Sequence, residues 1–135
     1  MSSEIQDYVD QVGLVDHHVH GVYEASPTVD EFSNMITESD RQPKTLDIAM
    51  NSQVGFATRK WCAPLLDLPA HCDPQSYFAR RIELGASEVN RRFLTACGVT
   101  HSLIETGFRG TEIHGPEGMA KLGGHKVDKV IRLET

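Results

Sequence analysis

The chain has 135 residues, 39% of them hydrophobic and 24% charged, which excludes a disordered segment and fits one ordinary domain. Its apolar runs are only a few residues long, far below the ~20 of a membrane-spanning helix. The formal net charge is −6, and every Lys and Arg lies between Arg41 and Arg132. We therefore expect neither a basic targeting start nor a nucleic-acid partner.

The first half of the chain predicts one strand among helices. Residues 3–12 predict a helix that Ser3 caps, and residues 14–20 predict a short buried strand. Residues 28–38 predict a second helix. A longer helical stretch follows from about residue 47 to residue 66.

The second half predicts two further strands. Helices are expected over 74–84 and 86–97, and Gly98 is expected to cap the second of them. Strand 99–105, a turn, helix 115–122 and strand 127–134 complete the order. Strands separated by helices indicate right-handed crossovers, so the predicted class is α/β with a parallel sheet.

The three cysteines, Cys62, Cys72 and Cys97, form no C-x-x-C pair and are odd in number. This pattern argues against a disulfide framework or a zinc knuckle. It indicates a reducing compartment, and we expect a cytoplasmic protein.

Two histidines one residue apart are the main chemical signal. Alternate side chains of a strand share a face, so Asp16, His18 and His20 are expected to point the same way. Imidazoles spaced by about 7 Å can converge on one ion, and zinc, iron or nickel suits them. Surface histidines near a strand end are the alternative. The apolar residues before the pair favour the metal site.

These residues also resemble a known family. The pattern Asp16-x-His18-x-His20 at a strand end resembles the amidohydrolase superfamily, and residues 14–21 (LVDHHVHG) resemble its amidohydrolase-related branch. Supporting similarities lie in residues 53–68 (QVGFATRKWCAPLLDL), 96–99 (ACGV), 103–108 (LIETGF) and 130–134 (VIRLE). The resemblance implies a (β/α)8 barrel, with His18 and His20 as the first ligands of a divalent metal, usually zinc. It implies hydrolysis of an amide, ester or lactone in a small-molecule substrate by metal-activated water. The same scaffold also supports decarboxylation and sugar-acid isomerisation.

A barrel of this type takes about 250 residues. We therefore expect residues 1–135 to form a single incomplete domain: the N-terminal portion of a TIM-type barrel, about three βα units, with a helical insertion after strand one. Later strands of the family supply further histidines and an aspartate, and nothing here matches them. The fragment is expected to be inactive alone. The alternative is a non-catalytic remnant that binds the missing C-terminal portion or itself.

Other polar residues are expected near the mouth of the site. Glu105 and Glu134 end strands two and three, and His114 follows strand two on the same side of the sheet. Arg132 shares the face of Glu134, where a buried ion pair is expected and substrate contact is the alternative. The remaining candidates are placed elsewhere: His71 in a loop, His101 and His125 away from the mouth, and Arg59 and Lys60 on a solvated helix face.

Overall fold

The computed structural model describes residues 3–37, 39–131 and 133, and it contains one parallel three-stranded sheet. The strands are β1 (Leu14–Val19), β2 (Val99–Glu105) and β3 (Lys126–Val130), in the order β1-β2-β3. The helices are α1 (Glu4–Val9), α2 (Val29–Met35), α3 (Leu46–Met50), α4 (Gln53–Trp61), α5 (Pro74–Ala96) and α6 (Pro116–Gly123). A short 3₁₀ helix spans Pro64–Leu66. The predicted α/β class with a parallel sheet is confirmed.

The two strand pairs differ in regularity. β2 and β3 pair without interruption from His101 opposite Lys126 to Glu105 opposite Val130. The β1–β2 register shifts twice, and one shift falls between Asp16 and Val19. Within it, Asp16 Oδ1 accepts a hydrogen bond from the backbone N–H of His18 at 3.2 Å. A side chain that binds this N–H competes with the ladder, so the histidine segment is locally irregular.

Local capping chemistry fixes where the helices begin. Side chains of Ser3, Thr28, Thr45, Ser52 and Asp73 each accept a backbone N–H three residues later. At the start of α2 the cap is reciprocal, since the carboxylate of the third helical residue bonds back to the cap residue. Such caps satisfy donors that a helix start otherwise leaves open.

The longer helical stretch predicted from about residue 47 to residue 66 is helical, but it divides into α3, α4 and the 3₁₀ helix. Ser52 caps a new helix start, and Gly55 lies so close to the backbone of Met50 that a Cβ would clash with it. The two helices predicted around residue 85 are confirmed as halves of α5. Gly85 has φ 76° and ψ 160°, which kinks the helix.

The main core lies in the helical insertion between β1 and β2. It consists of buried Phe32, Leu46, Met50, Ala63, Leu66, Tyr77 and Val89. A smaller buried group, Ile104, Ile113 and Met119, lies between the sheet and α6. Helix α6 contacts both β3 and α5, and it thereby joins the sheet to the insertion.

Several burial predictions are wrong. Strand β1 is not buried: Leu14 is 51% and Val15 is 58% exposed, because β1 is an edge strand and nothing in the described residues covers them. Helix α1 ends at Val9 rather than at residue 12, and it buries no side chain, so Ile5 remains 76% exposed. Strand β3 ends at Val130, short of the predicted end.

No helix in the described part of the chain combines the length and apolar character needed to cross a bilayer.

Candidate metal centre

His18 and His20 lie side by side where β1 ends. Their ring centroids are 5.9 Å apart, and the ring planes meet at 83°. Two imidazoles on one tetrahedral zinc have ring centres about 5 Å apart, given zinc–nitrogen bonds of about 2.0–2.1 Å. The observed separation is within about 1 Å of that value. The donor chemistry and spacing of the pair fit a zinc ion.

Asp16 acts on the backbone beside the pair. Its Oδ1 accepts the N–H of His18 at 3.2 Å, so its carboxylate is engaged within β1. This contact spans two residues within β1 and fixes the backbone between Asp16 and His18. Asp16 therefore helps to position a predicted ligand.

Glu105, at the end of β2, orients the ring of His20. His20 Nδ1 lies 3.3 Å from Glu105 Oε2 and 3.3 Å from the main-chain oxygen of the same residue. The N–H of Gly107 donates to Glu105 Oε1 at 2.7 Å, which holds the carboxylate in place. Two acceptors at Nδ1 favour the tautomer with its proton there. The lone pair of His20 Nε2 is then free for a metal.

Phe108 completes the surroundings of His20. Its ring lies 4.9 Å from the imidazole, centroid to centroid, with the planes tilted by 40°. Both residues border an open cavity of about 510 Å³ at the carboxyl ends of β2 and β3, together with Glu105, Thr106, Gly107, Lys129, Val130 and Ile131. This volume lies within the range of ligand sites, and parallel α/β folds place their sites at this end of the strands.

His114 lies near the site but not beside the two rings. Its backbone N–H donates to Val22 O, and its Nδ1 is 3.6 Å from Glu24 Oε1. Its carbonyl oxygen packs so closely on Gly21 that any Cβ there would clash. His114 therefore fixes the chain just after β1, and with Glu105 it borders a small cavity of about 70 Å³.

The described residues do not supply a complete set of ligands. Among residues 3–37, 39–131 and 133, no three His, Cys, Asp or Glu side chains are grouped to hold a metal. Two of the predicted mouth residues, Arg132 and Glu134, lie outside the described residues. A catalytic zinc site uses three protein ligands and an open position. The pair His18 and His20 fits the first part of such a site and no more.

His101 and His125 have side-chain partners away from this edge. His101 Nε2 lies 2.8 Å from Asp128 Oδ2, and Lys126 Nζ lies 3.0 Å from the same oxygen. Hydrogen bonds from Lys126 and then His101 lower the pKa of the Asp128 carboxyl. His125 Nε2 lies 2.9 Å from Ser102 Oγ. His71 lies in a loop with φ 60°.

One sequence expectation about polar residues needs correction. Arg59 does not lie on a solvated face: it is 6% exposed, and its guanidinium donates to Cys72 O and Asn51 Oδ1. Those partners come from segments that only the fold brings together. Lys60 is exposed as expected, with Nζ 4.5 Å from the ring centre of Trp61.

The packing of Phe108 on His20 was not predicted. The only signal in the sequence is an aromatic residue shortly after a strand end.

Comparisons of the chain with protein-family models, curated proteins and solved structures found no match. The family assignment stays a prediction that rests on the histidine motif.

Proposed function

We propose that this chain contributes the first two ligands, His18 and His20, to the zinc centre of a metal-dependent hydrolase of the amidohydrolase type. The observation that carries the proposal is the pair of rings 5.9 Å apart at the end of a parallel strand. The substrate class is a small molecule with an amide, ester or lactone carbonyl. The fold class supports a partial (β/α) barrel, with decarboxylation or isomerisation as alternative reactions on the same scaffold.

Each residue of the site has a distinct task in this proposal. A zinc ion held there would supply a water of lowered pKa and Lewis acidity toward the substrate carbonyl. His18 and His20 would hold the ion through ring nitrogens. Glu105 accepts a hydrogen bond from the Nδ1–H of His20, which would leave Nε2 to face the ion. Phe108 shields one side of the His20 ring from solvent.

The remaining ligands would come from polypeptide outside these 135 residues. The support is the shortage of donors together with the two open edges of the sheet, since in the described part β1 and β3 each pair on one side only. The chain alone would bind zinc weakly and would not be active. The free state of all three cysteines supports a cytoplasmic location.

Zinc titration of the purified chain, followed by imidazole NMR signals, tests the ligand assignment. His18→Ala and His20→Ala should each weaken binding by more than about tenfold. His17→Ala is the matched control, because strand alternation places this side chain on the opposite face. Affinity should stay within about twofold of the parent in that control. Equal zinc affinity in all three variants would refute the proposal.

A second candidate function is association with another polypeptide, and exposed apolar residues favour it. Ile5 is 76%, Leu14 51%, Ile131 72% and Leu133 96% exposed. Exposed apolar side chains and open strand edges are both typical of surfaces that pair with further chain. Sedimentation velocity discriminates, since a stable monomer over a wide concentration range counts against association.

A further inference from the structure

A second cavity lies between the segment after β1 and helix α5, and the proposed metal site does not use it. Its volume is about 290 Å³. Most of its wall is apolar, with Val22, Met35, Phe78, Ile82 and Val89 among the lining residues. The size suits a small molecule, near the lower limit of ordinary ligand sites. The wall would bury the apolar body of such a molecule.

One cation, Arg81, lines this cavity. No Asp or Glu in the described part of the chain pairs with it, and its buried Nε has no hydrogen-bond partner there. The neighbouring Arg80, in contrast, pairs with Asp67 at 2.8 Å and with Glu83 at 2.9 Å. A partly buried guanidinium without an anion is costly unless a ligand supplies the charge.

Three aromatic rings surround the guanidinium of Arg81. Arg81 Cζ lies 5.1 Å from the ring centre of Phe32, 6.0 Å from that of Tyr77 and 5.5 Å from that of Phe93. Ring faces attract a cation, but they do not replace the acceptors that in-plane N–H groups require. The rings therefore fix the position of the group, while its Nε–H stays without an acceptor in the described part of the chain.

We propose that this cavity binds a small monocarboxylate with an apolar body, whose carboxylate pairs with Arg81. A guanidinium matches a carboxylate through two parallel hydrogen bonds. Among the described lining residues, Arg81 is the sole cation and no acidic side chain occurs, so one negative charge is neutralised. A phosphate dianion would leave a second charge buried without a partner. This inference is independent of metal binding at His18 and His20.

Chemical-shift titration of the full chain with benzoate, benzamide and inorganic phosphate tests this proposal. Benzoate should bind saturably and shift signals of residues that line the cavity, while benzamide and phosphate should bind at least about tenfold more weakly. Arg81→Gln should weaken the affinity for benzoate by at least about tenfold. Arg80→Gln is the matched control, because Arg80 is engaged with carboxylates outside the cavity, and its affinity should equal that of the parent.

A second variant keeps the test decisive where Arg81→Gln unfolds the chain. Ala86→Leu retains the guanidinium and fills part of the cavity, since Ala86 lines its wall. It should abolish benzoate binding and leave zinc binding unchanged. The proposal is overturned by the absence of a saturable benzoate shift, by equal affinity for benzamide, or by unchanged benzoate affinity in Ala86→Leu or in a folded Arg81→Gln.

Discussion

Leu66→Ala and Leu14→Ala remove the same atoms from opposite environments, and their comparison tests where the core lies. Leu66 is 0% exposed in the insertion, whereas Leu14 in β1 is 51% exposed. Truncation of a fully buried leucine costs about 2–5 kcal/mol, because burial is lost and a cavity remains. Truncation of the half-exposed one leaves no enclosed cavity and should cost under about 1 kcal/mol.

Thermal unfolding followed by circular dichroism measures the difference. For a domain of this size, each kcal/mol shifts the Tm by about 3–4 °C. We expect Leu66→Ala to lower the Tm by about 10 °C and Leu14→Ala by about 3 °C or less. Equal shifts, or the larger shift in Leu14→Ala, would refute the placement of the main core in the insertion and restore the sequence prediction of a buried β1.

Three further predictions concern backbone packing, a buried cation and pH. Gly21→Ala should lower both the Tm and the zinc affinity, because the added Cβ would clash with backbone atoms. Gly115→Ala should change neither, because its Cβ would enter open space. Calorimetry measures the Tm and the zinc affinity of each variant. Arg59→Gln should cost about 2–3 kcal/mol in urea unfolding, and Lys60→Gln close to nothing. Two arginines lower the pKa of Glu88 from 4.5 to about 2, so its stabilising effect is full above pH 4.5 and is lost as the pH falls toward 2. The free energy of unfolding of Glu88→Gln should thus be lower than that of the parent at pH 7, and the two values should converge near pH 2. The same difference between variant and parent at pH 7 and at pH 2 would contradict this.

Local chemistry made much of the fold predictable. The cap at Ser3, the helix break at Gly85 and the glycine end at Gly98 all follow from short-range hydrogen bonding or from a positive φ, which adjacent residues specify. The apolar pattern of β1 correctly indicated a strand, but the burial that it also indicated is wrong. Burial depends on which layer covers a strand, and that layer lies elsewhere in the sequence.

In the candidate site, too, local features could be predicted from the sequence and contacts between distant residues could not. Strand alternation predicted that His18 and His20 point the same way, because the period of two is local. The contact between His20 and Glu105 joins residues 85 positions apart, and no sequence spacing encodes it. The burial of Arg59 was missed for the same reason, since its acceptors come from two other segments.

That separation of 85 positions links folding to the site. Bringing β1 and β2 together requires the intervening chain to close a loop, and the entropy cost of closure grows with the length of flexible chain between its ends. When the helices of the insertion are packed around Leu66 and Tyr77, little of that chain is flexible, so pairing β1 with β2 costs little conformational entropy. The folded insertion thus holds the ends of β1 and β2 close enough for His20 to contact Glu105. Loosening its interior would therefore disorder the strand end that carries His18 and His20, although neither histidine is itself changed.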